Sequence, residues 1–369
     1  MRDNRIDVIR GFAILLLTVT HTMCGPALLA DHGHYYPRLG FFFHGADIFV
    51  AFSGLICGIV YTRTLQRQGA SGLLQKGWAR ALQLWLFNAI AFFVVAAVVL
   101  AFNHAGVNAE IHNLQPGLWS AMTGTLFLFA PIPYFNVLNV YIIFLVILPV
   151  FVLLQARWRY TIVASLGLYG LSLVVLDPGQ EPDRFFVSPM AWQFLFFGAV
   201  VVGMHLDRVR AALPPLRTVG WALLLYFFVI HYMKENAWIV HNFSSKYGLG
   251  ALRIVDLVLV VYVLDRLNAP DVPVTSRLLR NIASIGSNSL FSFCCTLVLC
   301  YAASNLLVVF DASRAIYLIV ILAELSIMVL IGALLLHRPA WRAMTQAKWV
   351  ERWLAAVWPK RRVAGVIGG

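Results

Sequence analysis

The chain has 369 residues, of which 61% are hydrophobic and only 12% charged, and its mean hydropathy is +0.80. A soluble domain carries about 25% charged residues, so this sequence has too little polar surface for water. The pair of soluble domains that its length alone would suggest is therefore excluded. The net charge of +12 does not point to nucleic acid, because the basic residues fall in alternate loops between apolar stretches.

The apolar stretches are continuous runs of about 20 residues, long enough to cross hydrocarbon as helices. They do not alternate as the strands of a membrane barrel do. In chain order they predict helices over about 8–29, 43–63, 78–103, 134–156, 158–176, 188–206, 217–235, 250–267, 282–309 and 315–337. The expected fold class is all-α, a polytopic bundle of about ten transmembrane helices spanning residues 1–337. The segment 118–133 is apolar but broken by Pro131 and Pro133, and reads as a re-entrant or interfacial piece. In the tail, 338–369, Trp341, Trp349, Trp353 and Trp358 are interleaved with basic residues. That pattern suits a helix lying on an anionic cytoplasmic leaflet.

Arg2 and Arg5 before an apolar run also fit a signal peptide. There is no small-residue cleavage site near residue 30, and His21 interrupts the run, so this is read as the first helix. The five cysteines, Cys24, Cys57, Cys294, Cys295 and Cys300, lie in apolar stretches without zinc-ligand spacing and read as small packing residues. With the N-terminus inside, only Arg38, Arg184, Lys234, Lys246, Arg253 and Arg314 of the 28 Lys and Arg lie outside. This bias predicts that both termini are cytoplasmic, which requires an even number of crossings.

Ionisable groups are costly inside a membrane helix and mark function by default. Arg5, Asp7 and Arg10 stand at the mouth of the first helix, and His21 lies deeper. The eleven residues from Arg10 to His21 turn the helix through about 1100°, leaving an offset of only about 20° and an axial separation of about 16 Å. Both therefore share a face, while Asp7 and Arg10 can pair at the rim. Anchoring at the headgroups, with His21 in a buried hydrogen bond, is the plain alternative. The shared face favours a cavity.

Further along, Asp47, with His44 three residues earlier, can orient a substrate at the outer mouth, or serve as an N-cap or interior ion-pair partner. Ser53-Gly54 suits close helix packing. Arg253 and Asp256 have the spacing of a local pair, and Glu324 in the last helix requires a partner or a cavity. His32, His34 and His44 do not have the spacing of a metal site.

The run Arg5-x-Asp7-x-x-Arg10-Gly11-x-Ala13 with His21 resembles the first helix of the acyltransferase-3 superfamily, and more closely its OpgC branch, the osmoregulated periplasmic glucan succinyltransferases. Further segments agree in order. They are Ala46-Asp47 to Ser53-Gly54, Arg80-x-x-Gln83, Val140-Tyr141, Ser188-Pro189-x-x-Trp192-Gln193 to Gly198, and Gly286-x-Asn288-Ser289. The ordered set spans about residues 2–335.

The resemblance implies an acyltransferase of the inner membrane, with His21 catalytic and Asp7 and Arg10 beside it. It places the acyl-CoA donor, succinyl-CoA or acetyl-CoA, on Arg5, Arg10 and Arg80, without a metal. Asp47, His44, Asn136, Tyr141 and Trp192 are then candidate residues for a glycan acceptor. Chemistry agrees, since neutral imidazole can take a proton from a sugar hydroxyl, a covalent acyl-histidine is possible, and arginines suit phosphates. A homo-oligomer is compatible with this reading, and a secondary transporter or flippase is the rival. Three positions depart from the family pattern. Thr20 stands where Asp usually precedes the histidine, and Asn136 and Asn139 lie where Asp and Pro are typical.

The topology is tested with a reporter active only outside the cytoplasm. Fusions near Glu110 or Asp183 should be active, and fusions near Gly69 or after Arg362 inactive. An active C-terminal fusion would overturn the even number of crossings.

Overall fold

The computed structural model describes residues 4–23, 44–107, 117–129, 132–175, 187–233, 243–267, 276–310 and 314–338, with single positions at 114, 340, 341 and 350. Among them the chain is all-helical. The twelve helices are α1 (Asn4–Met23), α2 (Gly45–His104), α3 (Leu118–Leu126), α4 (Asn136–Arg157), α5 (Thr161–Val175), α6 (Pro189–Met204), α7 (Leu206–Ala212), α8 (Leu216–Met233), α9 (Ala251–Leu267), α10 (Arg277–Ser287), α11 (Ser289–Val309) and α12 (Arg314–His337). Four of the described helices are long and apolar enough to cross a membrane: α2, α4, α11 and the 315–337 stretch of α12. The pair α6 and α7, bent by 86°, makes a fifth if counted as one span, while α5 and most of α8 are shorter apolar helices. The predicted extension of α1 to residue 29, His32, His34, Cys24 and most of the basic tail lie outside the described residues.

Three predicted boundaries change, each at a residue whose backbone leaves the helix. The expected helices 43–63 and 78–103 join as α2 across Gly69, at φ 68. A straight helix of 60 residues would run about 90 Å. The Lys76 Nζ instead reaches the Thr64 hydroxyl at 3.2 Å, so the chain folds back at Gly69 into two antiparallel apolar arms. Gly supplies the left-handed backbone that other residues resist. The expected helix 282–309 is interrupted at Asn288, whose φ of −113° and ψ of 37° separate α10 from α11. The piece at 118–133 contains the short helix α3, which turns at Leu128 (φ 67) and leads into Tyr134 (φ 69).

Small residues set the closest approaches. A Cβ on Gly11 would lie 2.1 Å from the Ile282 carbonyl oxygen, and one on Gly286 1.8 Å from that of Asp7. This brings α1 and α10 backbone to backbone. Gly54, Gly58 and Gly203 do the same between α2 and α6, the packing mode of membrane helices, in which association depends on van der Waals fit. Pro149 inside α4 packs on Gly77. Aromatic rings fill the centre, with Phe144 stacked on Phe196 at 5.4 Å and Phe151 on Phe197 at 4.4 Å. Outward, Trp221, Phe228, Leu322 and Leu330 are exposed, as a lipid-facing surface requires.

A segment at 243–250 closes one end of the bundle. The Trp192 indole N–H donates to the Lys246 carbonyl (2.8 Å), the Ser188 N–H to that of Tyr247 (3.1 Å), and the Tyr169 hydroxyl to that of Leu249 (2.8 Å). Below it Arg253 meets Asp47 at 2.6 Å, with side chains only 2% and 1% exposed. The expected local pair of Arg253 with Asp256 is therefore replaced by one between helices 206 residues apart, because a buried guanidinium gains most from a carboxylate it can meet with two nitrogens.

Breaking this ion pair from one side leaves an uncompensated buried charge. Asp47→Leu should lose about 3–5 kcal/mol of stability, and Asp47→Leu with Arg253→Met should regain most of it. Thermal unfolding of the purified protein in detergent checks both.

Candidate functional site

The interior polar groups form two tiers along α1. In the first, Asp7 (5% exposed) and Arg10 (8% exposed) point inward from the first turns of the helix. The Arg10 Nη2 donates to the hydroxyl of Ser289, the residue with which α11 starts after the Asn288 break. The Arg10 Nε is buried without a hydrogen-bond partner among the described residues. Arg10 lies in the fields of Asp7, Arg80, Tyr141 and Cys57, and Tyr141 in those of both arginines. Arg80, half-buried on the second arm of α2, donates to the Gln83 side chain one turn away at 2.6 Å. Tyr141 is held edge-on by Phe49 and Phe196. Two guanidinium groups from different helices thus lie in the neighbourhood of a buried phenol. The Arg5 side chain lies outside the described residues.

The second tier surrounds His21, 9% exposed. Its ring stacks on Tyr134 at 4.3 Å and 24°, and the Tyr134 hydroxyl donates to the His21 carbonyl at 3.0 Å. Tyr134 takes this position from a left-handed backbone that a bulky residue adopts only when its surroundings hold it there. The surroundings are visible. The Tyr301 hydroxyl donates to the Pro133 carbonyl (2.8 Å) while its ring meets Tyr134 edge-on. Asn88, Asn139 and Thr125 link α2, α4 and α3 just behind, with Asn88 Nδ2 to Asn139 Oδ1 at 3.1 Å and Asn139 Nδ2 to the Thr125 carbonyl at 3.1 Å. The asparagine at 139, where the family pattern has another residue, is thus part of the brace that carries Tyr134. Beyond His21, the Thr22 hydroxyl donates to Glu324 Oε2 at 2.7 Å. The partner that Glu324 was expected to need is a threonine, and its Oε1 has no partner among the described residues. Thr20 turns back on its own helix, to the Leu17 carbonyl.

The remaining candidates lie apart. Asp47 is fully buried in its ion pair and also accepts from the His44 backbone N–H at 2.7 Å, so it caps α2. His44 itself is exposed. The Asn136 Oδ1 accepts from the Val137 N–H at the start of α4, and its Nδ2 has no partner among the described residues. Trp192 is 0% exposed with its one polar atom bonded, leaving no ring face open to a sugar in this conformation. Among the described residues no cluster of His, Cys, Asp and Glu has metal-binding arrangement.

An all-helical bundle of apolar spans that keeps arginines, a histidine and a carboxyl in its interior is a membrane protein with a polar internal site. The chain belongs to the OpgC family: the family described as OpgC protein matches residues 2–339, nearly its whole length. That membership points to a membrane-associated, glucan-modifying acyltransferase. No curated protein and no solved structure matches the chain.

Gly286→Ala should damage the first tier, because its Cβ would enter the Asp7 carbonyl and the Gly11 N–H. The expected loss is about 1–3 kcal/mol or more, read as a lower melting temperature. Gly198→Ala, where an added Cβ meets nothing within 4 Å, should leave it unchanged.

Proposed function

We propose that this protein spans the inner membrane ten times, with both termini cytoplasmic, and moves an acyl group from cytoplasmic acyl-CoA to a hydroxyl of a periplasmic or surface glycan. The observation that carries the donor site is that Arg10 and Arg80, from different helices, lie in one neighbourhood of the bundle with the buried Tyr141. Like charges held together in a medium of low dielectric attract a multivalent anion, and the phosphates of coenzyme A match guanidinium geometry. The two arms of α2 count as separate crossings in this topology, since the chain reverses at Gly69. Succinyl is the favoured acyl group, with acetyl the alternative.

The nucleotide stays at the arginines while its thin pantetheine arm carries the thioester toward His21. There the neutral imidazole takes the proton of the acceptor hydroxyl as that oxygen attacks the thioester carbonyl. The new ester forms, the carbon–sulfur bond breaks, and the thiolate leaves with the proton held on the imidazolium. Tyr134 restricts the ring to one plane, and the Thr22–Glu324 bond holds the turn that carries it. Such positioning matters because the barrier rises steeply with small misplacement.

Purified protein given radiolabelled succinyl-CoA and a glucan should form labelled ester. His21→Gln keeps a hydrogen-bonding side chain but cannot act as a base near neutral pH. It should lose roughly 100-fold or more in kcat with unchanged membrane insertion. Arg10→Ala and Arg80→Ala should each weaken donor use roughly tenfold to 100-fold. Near-normal transfer by a well-expressed His21→Gln variant would sink the mechanism, and label crossing the membrane without ester formation would favour a transporter.

A further inference from the structure

We propose that the apolar cavity between α1, α6 and α9 holds one hydrocarbon chain of an anionic phospholipid, whose headgroup sits on the arginines at the Arg10 end of the bundle. This site is separate from the transfer chemistry and does not depend on it.

Polar ties hold helix α9 near both ends, while Leu257 between them packs on the core. Near its start, Arg253 is tied to Asp47. At its other end, Arg210 of α7 meets Asp265 at 2.7 Å, the Arg266 guanidinium donates to the carbonyls of Arg210 and Leu213, and the Tyr262 hydroxyl to that of Pro214. Between these ties lies a cavity of about 390 Å³, within the range that holds an organic ligand. Ile9 of α1, Phe52 of α2, Gly198 and Val202 of α6 and Val258 of α9 are among its walls, and its only charged lining is Arg210 and Asp265. Gly198, the last residue of the Ser188–Gly198 segment, opens directly onto free space.

Away from Arg210, Tyr262 and Asp265, such a space offers water few partners. Left empty, it forfeits dispersion contacts along every wall. A bilayer supplies the hydrocarbon that restores them. The choice of lipid follows from charge. The sharp α6–α7 bend leads the chain across the cavity mouth, and residues 206–217 with 265–266 carry Arg208, Arg210, Arg217 and Arg266 against Asp207 and Asp265. The Arg266 Nε is buried with no hydrogen-bond partner among the described residues, and its guanidinium lies 5.8 Å from the Tyr262 ring centre. Excess cationic charge at a membrane surface favours an anionic headgroup over a zwitterionic one.

Native mass spectrometry of the full chain in detergent tests this with phosphatidylglycerol and phosphatidylcholine of identical chains. The wild type should retain one phosphatidylglycerol, with roughly tenfold preference over phosphatidylcholine. Gly198→Phe and, from the facing wall, Val258→Trp should each abolish retention by filling the cavity. Arg266→Gln should remove the preference while keeping the chain bound. No lipid retained by the wild type, or equal retention by both filled variants, would overturn the proposal. Displacement of the lipid by palmitoyl-CoA that is itself retained would also overturn it, assigning the cavity to a donor chain.

Discussion

The approach of α1 to α10 at Gly11 and Gly286 is so close that a single added carbon on either would overlap backbone atoms of the other helix. Everything the site requires hangs from that contact. It fixes how far α1 is inserted and how it is rotated, and so where Asp7, Arg10 and His21 point. It also brings Ser289, three residues beyond Gly286, against the Arg10 guanidinium. Thr18 against Thr296 and Thr22 against Glu324 continue the same seam. With no hydrophobic drive between helices in hydrocarbon, this fit and these few hydrogen bonds set the register.

The buried charges divide by how completely they are compensated. Arg253 and Asp47 neutralise one another and gain further bonds from the Ser244 carbonyl and the His44 N–H, which suits a structural tie. Arg10 and Arg80 share one neighbourhood in which, among the described residues, Asp7 is the carboxylate acting on Arg10, which suits the anionic donor proposed above. A bundle that neutralised the second pair as fully as the first would have no attraction left for a phosphate.

The class was legible because hydrocarbon imposes a length scale that composition shows directly. The burial of Arg10 and His21 was legible for the same reason, since ionisable groups in an apolar run stand out, whereas Arg80 stood out only through the family resemblance. The break at Asn288 was not legible, because helical patterning continues on both sides of it, and the expected loop between 63 and 78 is instead helical up to Gly69 from both sides. Tyr134 was hidden in another way, since its place on His21 depends on a left-handed backbone enforced by Tyr301, which is 167 residues away in the sequence. Arg253 misled through a local rule, with Asp256 at ideal spacing but Asp47 taking the bond. The enclosure of Trp192, a candidate acceptor residue by resemblance, was not legible either, because it depends on the distant Lys246 carbonyl that takes its indole N–H.

The segment over one end of the bundle is gripped through its main chain by Trp192, Ser188 and Tyr169, which reach the carbonyls of residues 246, 247 and 249, and the Leu249 side chain is buried in the core. A carbonyl is present whatever side chain stands at its residue, so these three bonds do not themselves select side chains at 246, 247 and 249. Drift in that stretch can alter the chemistry presented at the mouth while the helices beneath stay fixed. Substitutions in that stretch can therefore change the exposed surface while these three main-chain bonds are kept.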